Sequence, residues 1–365
     1  MSYSYTFPGN VRFGEGAFRE LPASLPAGCH PMLVMGKSFS LSAEGKELLE
    51  LLEPFHPVIR IGIPAEPPLE CVDELIALGR AEKVDSVIAV GGGSVIDAAK
   101  AAAALIPVEG GVSEYFSGAR TIPGKGLYFA ALPTTAGTGA ESTNNSVLTD
   151  TATKIKKSLR HPQMKADLAI IDPMLTWSCP KSLAAASGLD AFVQAFEGYT
   201  NPKASELTRA LSAQAVKLIL KNLKAACEGD HAAQNAMAEG SMLSGIAFSQ
   251  TGLGAIHGFA HPVGSLLHVP HGVACAVLMV PVMRWNEPVC GERYRELADI
   301  CGVPDFIAAA EKLAQDLEIP SDFKKYGLKQ EHFPFIVKNC RSASMATNPR
   351  PFTDGEVEDF LEAFC

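Results

Sequence analysis

Short apolar runs bounded by glycine, proline or charged residues recur through the first half of the chain, at residues 32–35, 58–61, 86–90, 127–132 and 168–171. Each has the length and composition of a strand buried on both faces. Between them lie stretches with apolar residues at three- and four-residue steps, at 43–52, 69–83 and 95–106, the pattern of helices that cover a sheet. Strand and helix in alternation predict an α/β fold with a mostly parallel, doubly wound sheet, whose ligands bind beyond the carboxyl ends of the strands. From about residue 180 the strand pattern stops and helical periodicity takes over, at 182–199, 204–226, 232–248 and 308–317. The Ser-Cys-Pro at 178–180 reads as a hinge, so residues 1–178 are expected to form the α/β domain and residues 179–365 an all-helical C-terminal one.

Length supports that division, because 365 residues exceed the size at which a single core usually stops growing. A net charge of −9 excludes the basic footprint of a nucleic-acid binder. Nine cysteines stand singly with no CxxC pair, which suits free thiols in a reducing compartment better than a disulfide framework. The first residues, MSYSYTFPGNVRFGEG, lack the basic and apolar regions of a signal peptide, and no uninterrupted apolar run is long enough to cross a bilayer. A cytoplasmic protein without nucleic-acid or membrane partners is expected.

Candidate chemistry is concentrated in three places. Four of the nine histidines fall in the segment AIHGFAHPVGSLLHVPHGVACA, residues 255–276. His257 and His261 are spaced to share one helix face. His271 follows Pro270, where a turn could return it to the first pair. With the upstream Asp190 these side chains make a candidate site for a divalent first-row metal, Fe(II) or Zn(II). The second place is AVGGGSVIDAAK at 89–100, a strand end running through Gly91, Gly92 and Gly93 into a helix near Ser94. Such a turn lets backbone approach a pyrophosphate and aims a helix N-terminus at it. The third is LPTTAGTGAEST at 132–143, another strand end, rich in the hydroxyls of Thr134, Thr135, Thr138 and Ser142. Two such loops on one sheet point to a phosphate-bearing cofactor, although the first matches neither a standard Rossmann nor a P-loop pattern.

Taken in order, GGGSVIDAAK, PTTAGTGAE with VLTD, the basic KIKKSLRHP, AIIDP, SGLDAF, the HGFAH and PHG array and the closing NPRPFT resemble the iron-containing (group III) alcohol dehydrogenases along essentially the whole chain. The resemblance implies a dinucleotide-binding α/β domain, a helical metal-binding domain, chemistry at the cleft between them, and a homodimer. Metal positions fall on Asp190, Gln194, His257 and His271. His261 matches a histidine near the substrate and nicotinamide. Gly91 to Ser94 and Asp97 match the pyrophosphate loop, and Thr134, Thr135, Thr138, Asn145 and Lys156 match cofactor-contacting positions. Two residues depart from the pattern. Gln194 stands where the iron-dependent members carry histidine, leaving Asp190, His257 and His271 as the strong ligands, and Cys275 stands where asparagine is usual.

The first strand ends in Gly36, Lys37 and Ser38, without the acidic residue that would repel a 2′-phosphate. The site is therefore expected to accommodate NADP and to leave a preference for it over NAD open. The reading is a metal-dependent, NAD(P)-linked alcohol dehydrogenase or carbonyl reductase for a small alcohol or aldehyde. Two alternatives share the architecture: a sugar-phosphate cyclase-like lyase, and a non-catalytic cofactor-binding protein with a degenerate metal site.

Overall fold

A computed structural model of the chain describes residues 3–365 and divides into two compact units, Ser4–Cys179 and Pro180–Cys365 with Tyr3. In the first, the elements follow as β1 (Asn10–Phe13), α1 (Leu21–Ser24), β2 (Pro31–Met35), α2 (Ala43–Leu52), β3 (Val58–Ile61), α3 (Leu69–Ala81), β4 (Ser86–Gly91), α4 (Gly93–Leu105), α5 (Val112–Ser117), β5 (Tyr128–Pro133), β6 (Asn145–Asp150), β7 (Ile155–Arg160) and β8 (Leu168–Ile171). Six strands form one parallel sheet in the order β1-β8-β5-β4-β2-β3. Alternate side chains of its central strands feed two cores. Met32, Val34, Val87 and Ala89 pack with α3 and α4, whereas Leu33, Met35, Ile88 and Val90 pack with Leu48 and Leu52 of α2. Burial on both faces is what a parallel sheet with helical crossovers requires.

The five strands expected from apolar runs are all present. Two features lacked that signature. β1 has no buried residue, exposes Val11 and Phe13, and is held at the sheet edge by its pairing with β8. The VLTD and KIKKSLR motifs form the antiparallel hairpin β6-β7, whose residues are mostly polar because little of it faces a core.

A buried polar node ties this hairpin and the second hydroxyl-rich loop to α4. The Lys100 ammonium donates to the carbonyls of Ala140 at 2.5 Å, Thr143 at 3.0 Å and Asn145 at 2.8 Å, and to Thr143 Oγ1 at 3.0 Å. Asp97, one turn earlier, accepts the Val147 amide at 3.1 Å. Burial pushes Asp97 up to about 6 and Glu141 up to about 7, and pushes Lys100 down to about 8, in each case against the attraction of opposite charges nearby.

In the second unit the helices are α6 (Lys181–Thr200), α7 (Glu206–Cys227), α8 (His231–Thr251), α9 (Ala255–Leu267), α10 (His271–Cys301), α11 (Phe306–Asp316), α12 (Phe333–Asn339) and α13 (Asp354–Glu362). Side-chain caps at Ser205, Asp230 and Asp305 start α7, α8 and α11. α6 is buried almost all round from Ala185 to Tyr199, so it is the central helix of the unit. α10 runs for 31 residues through Pro281 and Pro288, either of which reads in sequence as a helix end. By length and composition it is long and apolar enough to cross a membrane, although Arg284 and Glu287 interrupt its apolar run. More than half of its most apolar stretch is buried, and it packs on α6, α7, α9 and α11 as a core helix does. All nine cysteines are free thiols.

The buried node sets a pH dependence. The unfolded chain ionises Glu141 near 4.5 while the fold keeps its proton up to about 7, so the folded state binds more protons in that window and loses stability as pH rises through it. Glu141→Gln removes this share. Melting curves should show the wild-type Tm falling more steeply than that of the variant between those pH values; parallel curves would reject the assignment.

Candidate metal centre and cofactor cradle

Three helices of the second unit bring one cluster of donors together. α6 carries Asp190, Gln194 and Glu197 at i, i+4 and i+7, which share a face. α9 carries His257 and His261, and α10 opens on His271 with Cys275 one turn later. Asp190, His257, His271 and Cys275 each offer a ligand atom, and the four atoms lie within 4.8 Å of one another. Asp190 Oδ1 stands 3.2 Å from His257 Nε2 and 3.8 Å from His271 Nε2, and Cys275 Sγ stands 3.7 Å from His271 Nε2. All but His271 are buried.

Close backbone approach makes the convergence possible. A Cβ on Gly272 would run into the Ala186 carbonyl of α6, so glycine beside His271 lets the start of α10 lie against α6 next to Asp190. Gly254 leaves α9 room for Glu197, whose Oε1 would stand 2.7 Å from a Cβ there. The NPRPFT segment then fixes the start of α9: Asn348 Oδ1 accepts from the Ala255 amide at 3.1 Å and from Asn286 Nδ2 at 3.0 Å.

Glu197 does two jobs. Its Oε1 accepts the Ile256 amide at 2.8 Å, and its Oε2 lies 2.6 Å from His257 Nδ1. A proton on Nδ1 satisfies that contact and leaves the Nε2 lone pair facing Asp190, the carboxylate-histidine relay that orients and strengthens a metal-binding imidazole. Burial opposes a charge on His257, yet Cys275, Glu197 and the hydrogen bond to Asp190 outweigh it and raise its pKa well above the ordinary value. Two buried carboxylates demand a positive charge here, which a proton or a divalent cation can supply. Burial pushes the Cys275 thiol up to about 11.

Gln194 donates its amide Nε2 to Asp190 Oδ2 at 2.9 Å, the carboxylate oxygen turned away from the histidines, and its Oε1 is buried without a hydrogen-bond partner. His261 lies outside the four-donor cluster, half-buried, with its ring stacked on that of His271 at 5.2 Å. The donor set of one carboxylate and two imidazoles, backed by Glu197, fits a divalent first-row metal. Glu197 and Cys275 are the two members that the motif reading did not assign.

In the first unit, the strand order reverses between β2 and β4, the point where an open α/β sheet binds its ligand. Gly36 leaves β2 there with its amide bonded to the Val90 carbonyl at 2.9 Å, and a Cβ on it would lie 3.8 Å from Gly91. Thr134 follows β5 with its amide on the Gly91 carbonyl at 3.0 Å. A Cβ on Gly91 would strike Val95 and one on Gly93 would strike Thr138, each near 2.6–2.7 Å, whereas one on Gly92 would meet only Thr135 at 3.5 Å. No side chain caps the N-terminus of α4. A glycine cradle with an uncapped helix start beside threonine hydroxyls fits a pyrophosphate.

Gly36, Gly91, Gly92, Gly93, Thr134, Thr135 and Thr138 therefore gather at one switch point. Lys37 and Ser38 extend from it as exposed residues, and Ser94 Oγ accepts the Glu66 amide at 3.3 Å. Asp97 and Ser142 lie inside the fold, Asp97 on the Val147 amide. Lys156 pairs with Glu66 at 2.8 Å, and Asn145 bonds Ser158 at 3.3 Å.

Comparison with known proteins decides the family. The iron-containing alcohol dehydrogenase family matches residues 8–173, and the C-terminal part of the Fe-containing alcohol dehydrogenase family matches residues 184–365. The chain belongs to the iron-containing alcohol dehydrogenase family. It is 36% identical over 315 residues to long-chain-alcohol dehydrogenase 1 of Geobacillus thermodenitrificans, covering 82% of this chain and 79% of that one. It is 32% identical to 1,3-propanediol dehydrogenase of Klebsiella pneumoniae, covering 99% of both. The structure of sulfoacetaldehyde reductase from Bifidobacterium kashiwanohense in complex with NAD+ superposes with a TM-score of 0.93 at 28% identity, over 100% of this chain and 99% of that one. This family member is thus an NAD(P)-linked, metal-dependent alcohol and aldehyde oxidoreductase, and neither the lyase nor the non-catalytic alternative is needed.

Glu197→Gln keeps the shape of the relay and removes its charge. Competition with a chelating dye should show metal affinity reduced by about 10- to 100-fold, the usual cost of losing an outer carboxylate behind a histidine ligand. Unchanged affinity would remove Glu197 from the site.

Proposed function

We propose that this dehydrogenase interconverts a small alcohol and its aldehyde with NADP(H) accepted alongside NAD(H), holding its cation through Asp190, His257 and His271. The single observation that carries the reading is the meeting of those three side chains from three helices with Glu197 behind His257. When bound, the cation supplies Lewis-acid polarisation of the substrate oxygen and the nicotinamide supplies or accepts the hydride.

The chain's own residues do the rest. Asp190 and the two imidazoles fix the position at which the substrate oxygen is held. Glu197 keeps His257 in the tautomer that offers Nε2. His261, one helical turn beyond His257 and only half-buried, takes the hydroxyl proton on a ring nitrogen and passes it towards solvent, a role an imidazole can fill because its ring nitrogens both accept and release protons. The cradle of Gly91, Gly92 and Gly93 seats the pyrophosphate, and Thr134, Thr135 and Thr138 supply hydroxyls around it. Gly36, Lys37 and Ser38 leave space and a positive charge for a 2′-phosphate, with no carboxylate to repel it.

His257→Ala should abolish metal retention, measured by elemental analysis, together with turnover; turnover in metal-free variant would refute the ligand assignment. Lys37→Asp should lower kcat/KM for NADP by about tenfold or more while NAD is used as well or better, since a tenfold change corresponds to only about 1.4 kcal/mol of lost attraction. Equal use of both cofactors before and after the change would contradict the proposed role of Lys37.

A further inference from the structure

We infer that Cys275 is the fourth protein ligand of the metal, in the place left by the amide at 194, so that this chain builds an Asp-His-His-Cys site. The inference rests on the proposed metal site and extends it to a residue at which this chain departs from the family pattern.

Geometry carries it. Bonds of about 2.0–2.3 Å arranged as a tetrahedron put neighbouring donors about 3.3–3.8 Å apart. The separations here are 3.2 Å between His257 Nε2 and Asp190 Oδ1, 3.8 Å between His271 Nε2 and the same oxygen, and 3.7 Å between Cys275 Sγ and His271 Nε2. Three of the separations among the four donors thus have tetrahedral length, that from Sγ to the His271 nitrogen among them, and all four donors fall inside one 4.8 Å group. Cys275 is fully buried on the first turns of α10, four residues after His271, so both ligands issue from one rigid helix face. Gln194 donates its Nε2 to the far oxygen of Asp190 and so acts as a positioning residue for that carboxylate, with only a neutral amide oxygen left to offer.

Chemistry agrees. A neutral amide oxygen is a poor partner for a borderline metal, whereas a thiolate is a strong one and shifts preference towards zinc or cobalt and away from a site of oxygen and nitrogen donors alone. As the sulfur-metal bond forms, the thiol proton leaves to solvent. An ion held by these four residues would still accept a substrate oxygen, because catalytic zinc tolerates a fifth ligand.

The experiment reconstitutes the full-length protein with Co(II) and measures bound cobalt together with the near-ultraviolet absorption. One bound cobalt with a thiolate-to-cobalt charge-transfer band is expected, and Cys275→Ser should lose the band and bind cobalt at least about tenfold more weakly, no less than the loss of an outer-sphere partner. Cobalt bound without such a band, or a band that survives in Cys275→Ser, would overturn the inference while leaving the metal site standing. Failure of the wild type to bind cobalt, with His257→Ala indistinguishable from it, would instead overturn the metal site itself. Should Cys275→Ser not fold, zinc K-edge absorption of the wild type reads the same question: one sulfur at about 2.3 Å supports it and an all-oxygen-and-nitrogen shell rejects it.

Discussion

The buried contact between Glu197 and His257, with Asp190 on the other side of the same imidazole, is the constraint on which the helical unit is organised. Ionised carboxylates are expensive to bury unless a positive charge compensates them. The fold accepts that cost by aligning α6, α9 and α10 so closely that glycine is required at 254 and 272. The two acids raise the pKa of the imidazole between them well above its ordinary value. The same electrostatic demand makes the place attractive to a divalent metal, so stability and function draw on one arrangement.

The α/β unit solves a different problem with backbone rather than charge. Gly91 and Gly93 allow a strand end and a helix start to approach their neighbours more closely than a Cβ permits, and the uncapped α4 presents its dipole at the switch point of the sheet. Lys100 and Asp97, from the same motif as the glycines, face inward and tie the neighbouring loop and hairpin to α4. One ten-residue motif thus supplies both the phosphate cradle and its scaffold.

Much of this was legible in the sequence because the relevant physics is local. Apolar runs located β2, β4, β5 and β8, since strands buried on both faces have no polar alternation to disguise them, and β3 was found by its apolar composition although it lies at the sheet edge with Ile59 and Ile61 exposed. The glycine loop and the histidine array announced themselves by residue types with few other uses at that density. β1 escaped because its pairing with β8 needs no apolar side chains, and the full length of α10 escaped because Pro281 and Pro288 mimic helix ends. Glu197 was readable in principle, as a lone charge seven residues after Asp190 in an otherwise apolar stretch, and Cys275 as a thiol one turn after His271. Neither spacing says that three separate helices meet, which only tertiary packing decides. Phe259 is fully buried and stacks on Phe360 at 5.0 Å, and the half-buried Trp285 stacks on Phe352 at 4.2 Å.

The most direct measurement of the central claim is a crystal structure of the zinc-loaded protein with anomalous differences collected at the zinc edge. The account predicts one anomalous peak within about 2.0–2.3 Å of Asp190 Oδ1, His257 Nε2 and His271 Nε2. A peak elsewhere, with His257 still bonded directly to Asp190, would contradict it.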